Sequence, residues 1–101
     1  MINFEDIYDR ARLEIFGRLY RELMQKHNGI LICGGDFLIK HYDDVNDCDY
    51  LTEVTLKSLT CLEDGEIMVD YNEKEDTFSD PIEMFSLDEI DGILTVIKDR
   101  L

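Results

Sequence analysis

The stretch Asp43-Asp44-Val45-Asn46-Asp47-Cys48-Asp49 holds five side chains with carboxylate or amide oxygens, the ligand chemistry of a hard cation such as calcium. A helix–loop–helix calcium site alternates its ligands, bends on a glycine at position six and closes on a bidentate glutamate at position twelve. Here Cys48 stands where a third alternating ligand is due after Asp44 and Asn46, and neither the glycine nor the glutamate falls in place. Aspartate and asparagine mark solvated turns just as readily. The spacing therefore predicts a turn. The alternative is a small-ligand or calcium-binding module that uses Asp43, Asp44, Asn46, Asp47 and Asp49.

Cys33, Cys48, Cys61, His27 and His41 are the remaining metal-ligating or nucleophilic candidates. No two have the spacing of a structural zinc site. Cys33 and Cys61 lie in apolar runs, where a free cysteine packs as a small hydrophobe. Cys48 sits between two aspartates, whose charge disfavours a thiolate. The glycine-rich phosphate loop, the dinucleotide fingerprint and the paired-histidine zinc motif are all missing. These residues predict a non-catalytic protein without cofactor.

Charge points the same way. The chain has 101 residues and a net charge of −14, from 24 acidic and 10 basic side chains. Residues 1–28 hold five of each sign, so the whole excess lies in residues 29–101, where nineteen acids meet five bases. Such a surface repels phosphate backbones and anionic lipid heads, which argues against direct nucleic-acid or membrane binding. It attracts basic proteins and keeps the molecule soluble. The odd, sparse cysteines predict free thiols rather than a disulfide framework. The opening MINFEDIYDR lacks a basic stretch leading into an apolar core, so no signal peptide is expected. The apolar runs are too short for a membrane span. A cytoplasmic location is the expectation.

The elements that position these residues follow from periodicity. Residues 4–27 predict a helix with Asn3 as N-cap and Ile2 stapled to Ile7. Phe4, Ile7, Tyr8, Ala11, Ile15, Phe16, Leu19 and Leu23 form its apolar stripe. Asp6–Arg10, Glu14–Arg18 and Glu22–Lys26 pair one turn apart. Gly17 suggests a close approach by another element, and Asn28-Gly29 closes the helix. Ile30–Cys33 then predicts a strand, Gly34-Gly35 a two-residue turn, and Asp36–Tyr42 the returning strand. In Tyr50–Cys61, Thr52, Val54 and Leu56 share one face, and in Glu66–Asn72, Ile67, Val69 and Tyr71 do. Asp64-Gly65 turns between these two strands. Residues 72–81 read as a polar connection. Ser86-Leu87-Asp88-Glu89 is a capping box with Phe85 and Ile90 as staple. The helix it opens carries Leu87, Ile90, Ile93, Leu94, Ile97 and Leu101 on one stripe, with Lys98 and Arg100 in its final turn.

The expected fold is a single α+β domain over residues 1–101, in the order α-β-β-β-β-α. It has two layers, with an antiparallel four-stranded sheet of two hairpins under both helices on one face. In the Gly34-Gly35 hairpin, Leu31, Cys33, Leu38 and Tyr42 face opposite to Ile30, Ile32, Phe37 and Ile39. One face packs under the helices. The other, with Leu31, Cys33, Leu38 and Tyr42 as interface candidates, is left for a homodimer or a protein partner. The functional expectation is a protein–protein interaction or regulatory module. Its specific forms are an inhibitor or immunity-type protein toward a basic partner, or a nucleic-acid mimic whose carboxylates stand in for phosphates.

Overall fold

The computed structural model describes residues 4–101, the side chains of residues 4–6 and 8 excepted. The expected Asn3 cap, the Ile2 staple, the Asp6–Arg10 pair and the stripe positions Phe4 and Tyr8 lie outside the described residues. Element order is helix α1 (Phe4–His27), strands β1 (Ile30–Asp43), β2 (Cys48–Cys61), β3 (Ile67–Glu73) and β4 (Asp76–Pro81), and, after a short 3-10 turn at Ile82–Met84, helix α2 (Leu87–Ile97). The strands form one antiparallel sheet in the order β1-β2-β3-β4, so the fold is α+β with the order α-β-β-β-β-α.

Two strand boundaries differ from the sequence expectation. Gly34-Gly35 is not a turn: β1 continues through it for fourteen residues, and the first hairpin turns instead at residues 44–47. The polar connection after Asn72 is in part β4, which pairs with β3 from Met68↔Pro81 to Glu73↔Asp76. An edge strand tolerates polar residues and a terminal proline, since one side of it needs no ladder partner. Tyr71 also gives β4 a partner to pack on, stacking on Phe78 at 5.5 Å and donating its hydroxyl to Asp80 at 2.7 Å.

The glycines serve a bulge and a close approach. Between Ile32↔Ser58 and Gly35↔Leu56, β1 uses three steps against two in β2. Between Leu56↔Tyr71 and Ser58↔Asp70, β2 in turn uses two steps against one in β3. Neighbouring bulges bend the strands and increase their twist. A Cβ on Gly35 would stand 2.7 Å from Val96 Cγ1, so the bare backbone there lets α2 lie against β1.

On the inner face of the sheet, Val54, Leu56, Ile67, Val69 and Tyr71 stand where sequence alternation put them. Leu31, Phe37, Ile39, Val54, Leu56, Leu59, Ile67, Val69 and Tyr71 are buried in one cluster with Leu19 and Leu23 of α1 and Ile90, Ile93 and Ile97 of α2. Both helices therefore cover the same face. The capping box is complete: Glu89 N–H donates to Ser86 Oγ at 3.2 Å, and Ser86 N–H to Glu89 Oε1 at 2.7 Å. Helix α2 stops at Ile97, short of the expected Leu101, and Arg100 turns back to give a hydrogen bond to Ile32 O at 3.0 Å.

Helix α1 departs further. Ile7 and Ala11 are exposed, so only the second half of the stripe, from Ile15, packs on the core. Among the described residues nothing lies within 4 Å of a would-be Cβ on Gly17, and none makes the close approach expected there. The pairs Glu14–Arg18 at 3.0 Å and Glu22–Lys26 at 2.8 Å form as expected. Tyr20 ties the helix to Leu62 O at 2.6 Å, and Arg12 donates to Phe85 O at 2.7 Å and to Glu83 O.

Candidate functional site

The acidic loop is a hairpin turn in which Asp43, Asp47 and Asp49 already have partners. Asp43 Oδ1 accepts the backbone N–H groups of Val45 at 2.9 Å and Asn46 at 3.4 Å, and Asp43 Oδ2 accepts Asn46 Nδ2 at 2.7 Å. The Asn46 amide first, then the two N–H groups, hold the Asp43 carboxyl below its usual range. Asp47, left-handed at φ 50°, accepts the Tyr42 hydroxyl, which pushes Tyr42 up. Asp49 pairs with Lys40 at 3.3 Å, and Asp44 is exposed. No group of three or more histidine, cysteine or acidic side chains converges as a metal site among the described residues.

The histidines and cysteines are dispersed. His41 stacks on Tyr50 at 5.4 Å, with its Nε2 3.4 Å from Glu73 Oε1 but outside hydrogen-bonding alignment. Burial raises the thiols of Cys33 and Cys61, with Arg100 partly opposing this at Cys33. A thiol held protonated is a poor nucleophile.

What the structure gathers is an apolar stripe on the outer face of the sheet. Beyond Thr55, β2 has no pairing with β3, so β1 and β2 extend as a two-stranded ribbon toward the turn at residues 44–47. Lys40 lies opposite Leu51, Leu38 opposite Glu53 and Tyr42 opposite Asp49. Leu51 is thus the diagonal neighbour of both Leu38 and Tyr42 on one face, within side-chain reach of each. All three are exposed, Leu51 at 63%. Asp36, Asp49 and Glu53 lie on the same face around them, and Lys40 is already paired with Asp49. Ile30 and Ile32 extend the apolar surface toward the other end of β1.

The interface candidates divide. Leu38 and Tyr42 lie on the exposed face as expected. Leu31 is 5% exposed in the core, and Cys33 packs against it. A turn at Gly34-Gly35 would have folded residues 31 and 33 onto the side of residues 38 and 42. In a continuous strand, odd and even positions point to opposite faces. Ile30, Ile32 and Leu51 take their place.

Sequence reasoning did not locate the cleft between α2 and β1. Helix α2 runs along the open edge of β1. Glu89 Oε2 accepts Lys40 N–H at 3.0 Å at one end, and Arg100 caps Ile32 O at the other. Such side chains blunt a sheet edge. Between them a cleft of about 500 Å³ opens, floored by Phe37, Leu38, Leu51, Gly92 and Val96 and walled by Asp36, Asp88, Glu89 and Asp91. The only local signal for it is the pair Gly35 and Gly92, each pressed by a side chain of the facing element. No protein-family model, curated protein or solved structure matches this chain. No described helix is long and apolar enough to cross a membrane.

Proposed function

We propose that the chain is a non-catalytic docking module that holds a basic protein partner on the outer face of the β1–β2 ribbon. The observation that carries this reading is the exposed stripe Leu38–Leu51–Tyr42 inside its frame of carboxylates. A two-stranded ribbon is marginally stable alone in water, and covering its apolar face stabilises it by about 25 cal/mol per Å² of apolar surface removed from water. The carboxylate frame selects a partner with a cationic rim and speeds its encounter. A second copy would bring a charge of −14 against −14, which disfavours the homodimer on this face. The carboxylates are interleaved with leucine and tyrosine, which suits a mixed protein interface better than phosphate mimicry. Three free thiols fit a cytoplasmic location.

The test is site-specific photo-crosslinking in the native host, with the crosslinker placed singly at Leu38, Leu51, Glu63 or Glu75. Discrete adducts at Leu38 and Leu51, absent at Glu63 and Glu75 and diminished when cells are lysed into high salt before irradiation, support the reading. Adducts at all four sites, or at none, reject it.

A further inference from the structure

We propose that the cleft between α2 and β1 is a peptide-binding site for an extended basic segment that alternates arginine or lysine with an aliphatic residue. This inference rests on the docking reading above and names the form of ligand that its acidic, apolar surface takes.

Three features of the cleft set that chemistry. Its volume of about 500 Å³ lies within the roughly 300–1,000 Å³ of ligand clefts, and its floor is apolar. Gly92 lets α2 lie close on Phe37, since a Cβ there would stand 3.3 Å from Phe37 Cβ. The walls are of one sign: Asp36, Asp88, Glu89 and Asp91 face a single cation, Lys40, which Asp49 already neutralises at 3.3 Å. Glu89 is engaged by Ser86 and Lys40 and Asp36 accepts the Thr55 hydroxyl at 2.8 Å, which makes Asp88 and Asp91, both exposed, the carboxylates best placed for an incoming guanidinium.

Strand geometry favours an extended peptide over a compact cation. Lys40 directs its N–H to the open edge of β1, where Glu89 takes it. Leu38, two residues earlier, presents its N–H and C=O in the same direction. A peptide lying along this edge finds backbone partners there, as in strand addition, while alternate side chains enter the cleft or reach its walls.

The probe is a fluorescein-labelled pentapeptide of alternating arginine and leucine, read by anisotropy against the full chain at low and high salt. Two control peptides replace leucine by glycine or arginine by glutamate. Binding by the parent peptide, with a loss of about tenfold or more on either replacement, is expected. Asp91→Lys and Leu51→Lys, both at exposed positions, should each weaken binding about fivefold or more, in line with an exposed ion pair reversed or an apolar contact removed. Glu63→Lys makes the same charge change as Asp91→Lys on a distant turn and should weaken it less than about twofold. Matching urea midpoints confirm that the variants fold, and Asp88→Lys replaces any that does not. Failure of the parent peptide to bind overturns the proposal, as does equal binding of the glycine peptide or an equal loss in Glu63→Lys. In each case crosslinks at Leu38 and Leu51 would leave the docking reading standing.

Discussion

Replacing Gly35 with alanine probes the packing of α2 on β1 at its closest point. The new Cβ would lie 2.7 Å from Val96 Cγ1 and 3.5 Å from Val96 Cβ. Valine in a helix has essentially one χ1 rotamer, so the methyl cannot swing away and the helix or the strand must shift. Overpacking of this kind costs about 1–3 kcal/mol. Against it stands a gain of about 0.5–1 kcal/mol from removing a glycine inside a strand. The net expectation for Gly35→Ala is a loss of about 1 kcal/mol within a range of about 0–2.5 kcal/mol, with each kcal/mol worth roughly 4–8 °C in melting temperature for a domain of this size. In a Val96→Ala background the clash is gone and the same substitution should be neutral or slightly stabilising. Urea denaturation of the wild type, both single variants and the double variant measures the coupling, expected at about 1–3 kcal/mol. A glycine needed for a turn at residues 34–35 would also resist substitution, but independently of Val96. Zero coupling would therefore refute the close packing, whatever the single-variant loss.

Three further outcomes follow from individual contacts. Glu89→Gln leaves one accepting oxygen where the carboxylate supplies two, to Ser86 N–H and Lys40 N–H, and should cost about 1 kcal/mol; Glu89→Ala loses both and should cost about 2 kcal/mol in urea midpoint analysis. Burial first, then the hydrogen bond to Asp80, raises the Tyr71 phenol well above the ordinary range. The stability this contributes is complete below about pH 10, the ordinary phenol value, and is lost as pH rises beyond it. Tyr71→Phe should cost about 1 kcal/mol at pH 8 and flatten the alkaline fall in urea midpoint. The hydrogen bond with Glu83 and then burial and the Glu83 charge raise Glu66, so the wild type binds its proton more tightly folded than unfolded. Stability therefore declines as pH rises above about 4, and Glu66→Gln should melt higher than wild type at pH 7 but not at pH 3.

Local chemistry made much of this fold legible. Ser86 and Glu89 announce a helix start because both partners lie within four residues, and Asn28-Gly29 takes left-handed geometry at φ 56° and 87° as its composition requires. Alternation identified Val54, Leu56, Ile67, Val69 and Tyr71 as core. What failed were features decided by distant partners. Two glycines serve a turn, a bulge or a close approach equally well, and only Val96, some sixty residues away, selects between them. Asp76–Pro81 is too polar to signal a strand, and its pairing depends on Tyr71. Ile7 and Ala11 keep the helical period, yet no described element covers them. The interface candidates inherited the misplaced turn, which is why Leu31 and Cys33 fell on the wrong face while Leu38 and Tyr42 did not. The α2–β1 cleft is assembled from residues 36–51 and 86–96 and has no contiguous signature.

The docking reading is tested most directly by size-exclusion chromatography of host lysate at low salt, comparing the native chain with a Leu38→Glu/Leu51→Glu variant. Both substitutions are at exposed positions, where stability changes stay within about 0.5 kcal/mol each. The native chain should elute in an assembly well above its own 11.9 kDa and the variant at the size of the free chain. Elution of the variant in the same assembly, or of the native chain as a free monomer, would contradict the account.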